Sequence, residues 1–584
     1  MSEESSSANV YVKEEGWLPQ IKAVKAFNRR LLFNTLDSIE GEKTIVWSES
    51  LMKRVLIFAN GQELKEHGVT TNHIIDKQLR TGTRNVVFFV EKSLAEANKL
   101  IDYLTRSTNE NALYHVFFVP EEWYAARQKL KDEEHIWKKL ETVKALPLSW
   151  LPSEGDVLSL DEPSLPSRIL LNGDWTALHR CSCALFELER MIGKTVVIHA
   201  NGKWSNDVAK MLVKMRSNNE DDSLRSESSS SLQSINRLVL IDRWLDPLTP
   251  LLTPITYASL IDEVYGIGLK DIIKISELEM DGKENSSADP DTMKEVSLDD
   301  EVFHRLKHCH LSLLLRLIPD ILADVHKDLK IDKDSMSIAE YSLFVKKLPL
   351  INLKKSRVSK HMRMAELVTQ AVREKLFEES EIEKDIVVSR NGDRVESSIE
   401  RVILSGQSSS CSLRLIALHS LAAEGLKTTV LHTYRRMIFH AFGMEALNKL
   451  VKMHKVGLIR EKGAMKFIPS YMPLPFGELV KSLDLFPSDT SSSNERCQSY
   501  NYYSPLLVSM VEEGVKVKWM GWKTHGVVEG KDDKASTGGT VLFVVGGLTR
   551  AEIASLRRIP QLGLICTSAI ITRDTLINSL TSIL

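Results

Sequence analysis

The sequence predicts an α/β plus all-α molecule, with two parallel-sheet α/β domains and a large helical domain inserted into the second. Three observations carry this expectation. Short β-rich runs alternate with amphipathic stretches up to residue 148, and long amphipathic stretches without strand character follow Asp300. Strand character then returns at Val541.

The first domain, 1–148, shows β-rich runs at Thr44–Trp47, Val55–Ala59, Val86–Val90 and Tyr114–Val119. Between the last two, Ser93-Leu-Ala-Glu96 is a capping box that opens a helix with Leu94, Ala97, Ile101 and Leu104 on one face. Strand, helix, strand is a βαβ unit, which implies parallel strands covered by helices. The polar, proline-containing segment 146–166 reads as a connector.

The second domain takes 149–260 and 500–584. Its first part holds a helix around Trp175, Leu178, Leu185, Leu188 and Ile192, a strand at Thr195–His199, a helix from Asp207 to Met215 and a strand at Leu238–Ile241. Its second part holds a strand at Val541–Val545, the pair Gly546-Gly547, a helix at Arg550–Arg558, a strand at Gly563–Cys566 and a helix from Arg573. A terminal βαβ unit so far from other strands most simply completes the second sheet.

The helical domain, 261–499, is then an insertion. Glu301–Leu329 and Ser337–Leu376 are long amphipathic segments separated by the polar Lys330–Met336, the pattern of an antiparallel hairpin over about 301–376. Helices follow at Ser412–Leu426, Thr429–Phe442 and Glu445–Lys455. Four polar segments, 216–234, 276–300, 488–499 and 529–540, have too little apolar content to fold alone and read as disordered loops.

A length of 584 residues suggests three or four domains. The net charge of −2 argues against the basic footprint of a dedicated nucleic-acid binder. Six cysteines without a C-x-x-C pair point to a reducing compartment. The polar, acidic start, Met1-Ser-Glu-Glu, is unlike a signal peptide, and no stretch reaches the ~18 apolar residues of a membrane span. A cytoplasmic protein is expected, attached to membranes through partners or a weak surface patch.

Several short motifs imitate chemical sites. Gly193-Lys194-Thr195 has the tail of a phosphate-binding loop, but Leu188 stands at the first glycine and the motif precedes its strand. Gly202-Lys203 fails at Val197 and Trp204, and Gly266-Ile-Gly268 fails the dinucleotide fingerprint at Asp271. Gly546-Gly547 stands between a strand and a helix, where either a phosphate or a tight turn fits, and the turn is favoured. His304, His308, Cys309 and His310 share one predicted helix, but no second ligand cluster with zinc spacing accompanies them. Asp332-Lys-Asp334 starts like a calcium loop, yet Ser337 and Leu343 stand where glycine and a bidentate carboxylate are needed. No G-x-S-x-G or H-E-x-x-H occurs. Asp242 and Asp246 are candidate paired carboxylates at a strand's carboxyl end, but the intervening Arg243 favours structural pairing. Neither a metal nor a cofactor is expected.

The stretch Leu238–Gly268 is the most specific in the chain. A strand ends on Asp242-Arg243, Pro247, Pro250 and Pro254 follow, and an acidic helix closes the run at Leu260–Glu263. These prolines fix φ and donate no backbone hydrogen bond, so a rigid, extended connector is expected, stable only if something packs on it. Asp242, Arg243, Asp246, Thr249, Pro250, Leu251, Leu252, Thr256, Tyr257, Leu260, Ile261, Asp262, Glu263, Tyr265, Gly266 and Ile267 resemble the signature D-R-x-x-D-x-x-T-P-L-L…T-Y…L-I-D-E…Y-G-I. That signature is the one carried by the SM (Sec/Munc-type) family of SNARE chaperones. Val541–Arg558 resembles the strand, glycine pair and helix of the family's vacuolar-sorting branch. Leu413–Leu426 with Tyr434, Phe442 and Gly443 resembles the same branch, as does Tyr502–Leu507, where the serine moves ahead of Pro505. Glu340–Leu367 resembles the family's second hairpin helix.

The resemblance implies an arch-shaped, three-domain fold without catalysis. It also implies templating of SNARE motifs for endosome and lysosome (vacuole) fusion, within HOPS or CORVET tethering complexes, docked through vacuolar protein sorting protein 16. Membrane association would be indirect, through those partners. On the hairpin's second arm Lys346, Lys347, Lys354, Lys355, Arg357 and Lys360 interleave with Leu348, Leu350, Ile351 and Leu353, which suits an amphipathic helical partner with exposed acids. A solvated basic helix face is the alternative for this arm. The motif residues Asp242, Arg243, Asp246, Thr249, Pro250, Tyr257, Asp262, Glu263, Gly546 and Gly547 are expected to be structural. The competing function is an α/β enzyme or nucleotide-binding protein with its site near Asp242 and Gly546-Gly547.

Overall fold

The computed structural model describes residues 2–75, 82–106, 112–218, 235–281, 292–329, 338–389, 392–463, 475–487, 499–526 and 539–581. Most of the expected loops, the hairpin tip and the pair Asp332 and Asp334 lie outside the described residues.

The first sheet is built from β1 (Lys43–Trp47), β2 (Val69–Ile74), β3 (Asn85–Glu91), β4 (Leu113–Val119) and β5 (Leu140–Ala145), in the order β2-β1-β3-β4-β5. All four pairings are parallel. A parallel sheet covered on both faces needs continuous apolar strands, and β3 and β4 are buried almost throughout. The edge strands β2 and β5 are largely polar and exposed, which is why their sequences carried no strand signal. Val55–Ala59, expected as a strand, instead ends the helix Glu49–Val55 and forms the turn after it. A short apolar run does not distinguish a strand from a buried helix end. Helix Leu94–Arg106 buries Ala97, Leu100, Tyr103 and Leu104, so its inner face is rotated from the expected one and Leu94 is exposed.

The second sheet begins with β6 (Leu151–Glu154) and β7 (Val157–Ser159), both inside the segment expected to be a connector. β8 (Val197–Asn201) and β9 (Ile235–Asp242) follow. Before the sheet resumes, β10 (Ile272–Ser276) and β11 (Met293–Ser297) form a separate antiparallel pair. β11 falls in a segment expected to be a loop; Ile273 and Ile275 alternate inward and pair it to the core through Val296. β12 (Lys523–His525), β13 (Gly539–Val545) and β14 (Leu562–Thr567) then complete the order β12-β8-β9-β13-β14-β7-β6. β13 lies between β9 and β14, parallel to both, so the chain's last strands close a sheet opened several hundred residues earlier.

Helix Ser2–Asp37 serves both α/β units. Trp17, Ile21 and Val24 join the core that contains Trp150 and Leu158, whereas Leu32 and Leu36 join the core of the first sheet. The Trp17 ring rests on two glycines of neighbouring strands. A Cβ at Gly539 or Gly563 would approach that ring to 2.4 Å or 1.9 Å.

Between β9 and β12 the chain is mainly helical. Helix Leu311–Leu329 packs on helix Ile338–Ala371, sharing a core of Leu314, Ile318, Val325, Ile351 and Val358. The first arm was expected to run unbroken from Glu301, but the helices Glu301–Leu306 and Leu311–Leu329 are separate. The break has a cause. Tyr257 and Ala258 donate their backbone N–H groups to the carbonyls of Cys309 and Lys307, both at 3.0 Å. Residues 307–310 therefore satisfy the free N-terminal donors of helix Tyr257–Tyr265 instead of continuing their own helix.

Candidate functional site

β9 delivers Asp242 to the start of helix Lys203–Asn218. Its carboxylate accepts from the backbone N–H groups of Trp204 at 2.8 Å and Ser205 at 2.6 Å, and from the Ser205 hydroxyl. Burial pushes the Asp242 acid up to about 7, and the donors from Ser205 and Trp204 offset only part of that. The approach is close enough to require Gly202, with φ +105°, because a Cβ there would lie 2.2 Å from a carboxylate oxygen of Asp242.

Arg243 points away from Asp242 and is wholly buried between Asp246 at 3.0 Å and Glu552 at 2.6 Å. Asp246 in turn accepts from the Thr249 N–H at 3.0 Å, the Thr249 hydroxyl at 2.6 Å and the Leu507 N–H at 3.0 Å. The two carboxylates thus do separate work and do not form an acid–base pair. The first part of the proline run is not extended, since Arg243–Leu245 and Thr249–Leu251, which includes Pro250, are 3-10 turns, whereas Leu252 and Thr256, on either side of Pro254, keep the expected extended backbone. Asp246 supplies the hydrogen bonds that let the chain turn there.

Gly546 and Gly547 adopt φ +113° and +114°. A Cβ at Gly546 would come to 2.7 Å from Cβ of Arg243, and one at Gly547 to 2.8 Å from Ile571. Downstream, Thr549 and Glu552 form a reciprocal capping box on helix Arg550–Leu556. The turn is packed against protein on both glycines, and the helix start is served by its own side chains. Neither feature resembles a phosphate cradle.

The remaining motif residues join the second sheet to the helical region. Tyr257 Oη lies 3.1 Å from His361 Nδ1, and His361 Nε2 lies 3.1 Å from Asp300. Asp262 accepts from the Ile267 N–H at 2.7 Å and from Arg550 Nε at 3.2 Å. Glu263 accepts from Arg573 Nε at 3.0 Å; burial nonetheless pushes its acid up to about 7.

The sequence reading did not find the partners of these residues. Arg557 holds Asp156 through both carboxylate oxygens and Glu154 at 2.8 Å, and it also contacts His308. Lys307, itself buried, reaches Glu154 at 2.5 Å. Arg414 contacts Glu383, which accepts from the Thr253 N–H at 2.7 Å. Only the Thr549-x-x-Glu552 spacing was a readable signal; the other pairs are brought together by the fold.

Of the histidine cluster, His304 faces Asp299 at 2.9 Å and His310 faces Ser312 at 2.7 Å. Among the described residues, no group of three or more His, Cys, Asp or Glu is placed to hold a metal ion. Among them, too, no helix is long and apolar enough to cross a membrane.

The hairpin's second arm differs from these buried joints. Lys346, Lys347, Lys354 and Lys355 are exposed, as are Leu350 (63%) and Leu353 (48%). Lys346, Leu350, Leu353 and Arg357 recur every three or four residues and so share one stripe of the helix. Arg357 and Leu348 are half-buried, Ile351 faces the other arm, and Lys360 turns back to Asp300 at 2.6 Å. The stripe thus carries two exposed aliphatic side chains among its cations.

Among the described residues, most of the signature residues form a buried scaffold and the hairpin stripe is exposed. A family model described as the Sec1 family matches residues 43–579. Vacuolar protein sorting-associated protein 33A of Caenorhabditis elegans is 42% identical over 603 aligned residues, covering 100% of both chains. Among solved structures, the SM protein Vps45 in complex with the Qa SNARE Tlg2 matches with a TM-score of 0.62 at 18% identity, over 96% of this chain and 97% of that one. The Unc18–syntaxin 1 complex from Monosiga brevicollis matches with a TM-score of 0.63 at 17% identity, over 95% and 99% of the chains. These structural likenesses establish a shared SM fold, and the model match spans nearly the whole length: the chain belongs to the Sec1 family.

Proposed function

We propose that this protein is a non-enzymatic SM protein that binds SNARE motifs on the second arm of its helical hairpin and holds them in register for fusion of endosomal and lysosomal (vacuolar) membranes. The observation that carries this reading is the exposed stripe of Lys346, Leu350, Leu353 and Arg357, flanked by Lys347, Lys354 and Lys355. Isolated heptad segments pay a large ordering cost before any helix pairing rewards it. A rigid arm with aliphatic contacts and a cationic border lowers that barrier for an amphipathic helix with acidic flanks.

The end-to-end similarity to a vacuolar protein sorting-associated protein 33A supports a place in HOPS- or CORVET-type tethering complexes, with vacuolar protein sorting protein 16 as the docking subunit. The protein then acts in the cytoplasm and reaches late endosomes, lysosomes or early endosomes through those subunits. We take 1–148, 149–260 with 500–584, and 261–499 as its three functional domains.

The arm is tested by charge reversal, K354E/K355E/R357E, in the full chain. Weaker binding to assembled SNARE bundles at an unchanged melting temperature is expected, and unchanged affinity would remove the arm from the contact. The assembly is tested by co-purification with the carboxyl-terminal half of vacuolar protein sorting protein 16 from the same organism. A stable one-to-one complex is expected; a folded chain that does not co-purify would overturn the tethering assignment.

A further inference from the structure

Helix Leu506–Lys516 ends at a tight turn that leads into β12. Two successive non-glycine residues in this turn, Lys518 and Trp519, have left-handed backbones, with φ +52° and +63°, and Gly521 follows at +86°. Side chains crowd the backbone in that region, so such a pair persists only where its surroundings fix it. Trp519 is the fixing residue. It is buried, stacked on His199 with centroids 5.8 Å apart, and set edge-on to Trp522 at 4.9 Å. Gly514 makes room for it, since a Cβ there would lie 2.6 Å from the indole.

Anchoring Trp519 inward forces its neighbours outward. Met520 is 82% exposed and Val517 37%. Lys516, Lys518 and Lys523 surround them, all exposed, and no acidic residue occurs from Gly514 to Gly526. Lys210, on the adjacent helix, adds to this field: together with Lys523 it acts on His525, which burial first and these two cations second hold below its ordinary value. Two acids face this field, Asp207 at 3.5 Å from Lys210 and Glu513 at 4.0 Å from Lys516, and Lys518 and Lys523 stand beyond them at the tip.

We infer that the tip Val517–Lys523 is a contact site for an anionic bilayer surface. Met520 and Val517 enter the boundary between headgroups and acyl chains, and Lys516, Lys518 and Lys523 attract the negative headgroups. Charge complementarity selects this occupant, and size does too. A stable protein interface needs on the order of 800 Å² per partner, far more than a seven-residue turn offers. Bilayer partition instead accumulates with each buried apolar group and each lysine. The contact is weak by itself and adds to attachment through partner subunits; it holds whichever SNARE the hairpin arm takes.

The test is co-sedimentation of the full chain with vesicles of phosphatidylcholine alone or phosphatidylcholine with phosphatidylserine. Binding to the phosphatidylserine vesicles only, falling as salt is raised, is expected. Each lysine near an anionic surface is worth about fivefold in partition, so K516Q/K518Q/K523Q should bind about a hundredfold more weakly. V517S/M520S changes only exposed apolar groups and should weaken binding about tenfold without moving the melting temperature. Equal binding to both vesicle types, or a lysine variant that binds like the parent, would overturn the proposal. So would a parent chain that ignores vesicles while its tip lysines are needed for retention of a protein partner.

Discussion

At Gly202 a single hydrogen stands where any other residue would place a methyl group 2.2 Å from the Asp242 carboxylate, on a backbone with φ +105°. Gly202→Ala therefore combines a left-handed backbone strain with a collision inside a buried cap, and should cost about 2–4 kcal/mol. Asp242→Ala alone loses the cap of helix Lys203–Asn218 at about 1–2 kcal/mol. Because the second change removes the carboxylate atoms that the first collides with most closely and leaves only the Asp242 Cβ at 2.8 Å, the double variant should lose less than the sum, by about 1–2 kcal/mol. Melting temperatures of the four proteins check this, and strict additivity would contradict the contact. His419 gives a pH dependence at the same scale. It is buried beside Tyr434 Oη at 3.2 Å, and burial lowers it from 6.5 to about 4. The folded pKa lies below the unfolded one, so between those values the unfolded chain holds the extra proton. Stability attributable to His419 is complete above 6.5 and falls as pH drops towards 4, by up to about 3 kcal/mol. His419→Gln should flatten the fall in melting temperature across that window relative to the parent. The sequence made Asp242 legible as a motif residue, but its task depends on Trp204 and Ser205, which no local pattern ties to it.

Among the elements, the hairpin was legible because its two arms carry long helical periodicity, whereas the break in the first arm was not. The residues at 307–310 have no helix-breaking composition; they leave the helix because Tyr257 and Ala258 need their carbonyls. β5 and β11 were hidden for a related reason, since a polar edge strand is specified by its neighbour more than by its own side chains. The junction of helix Tyr257–Tyr265 with the second arm offers a test of this kind of coupling. Tyr257 Oη and Asp300 hold the two nitrogens of the buried His361. Tyr257→Phe removes one of those partners from a buried imidazole, at a cost of about 1–3 kcal/mol. Hydrogen exchange should then quicken in helix Ile338–Ala371 around His361 while the first sheet stays protected. Uniform exchange across the molecule would mean that the hydroxyl does not hold this junction.

For the whole molecule, the pairing of β13 between β9 and β14 was foreseeable from a βαβ pattern stranded at the end of the chain. The buried ion pairs that tie this sheet to the helical region were not, because their members lie far apart in sequence. Arg557 is the centre of that set. It is held by Asp156 and Glu154 on one side and touches His308 on the other, and Lys307 brings the broken hairpin arm to the same Glu154. Burial alone would raise the Glu154 acid, but Arg557, Lys307, His308 and Arg550 hold it well below the usual carboxylate range. Such a cluster is not needed for folding energy as such, since apolar replacements of matched shape can be as stable; removing one member is another matter, because it strands the rest. Arg557→Met should therefore cost about 3–5 kcal/mol by leaving Asp156 and Glu154 short of a cation. Neutralising Asp156 as well, in R557M/D156N, should recover part of the loss, with Glu154 kept for Lys307 and Arg550. If the cluster fixes the helical region against the second sheet, limited proteolysis of R557M should cut first near residues 307–310, before either sheet is attacked. A variant that melts lower but keeps the parent's cleavage order would show that Arg557 stabilises the sheet alone, and the link between the regions would then rest on Arg414, Arg550 and Arg573.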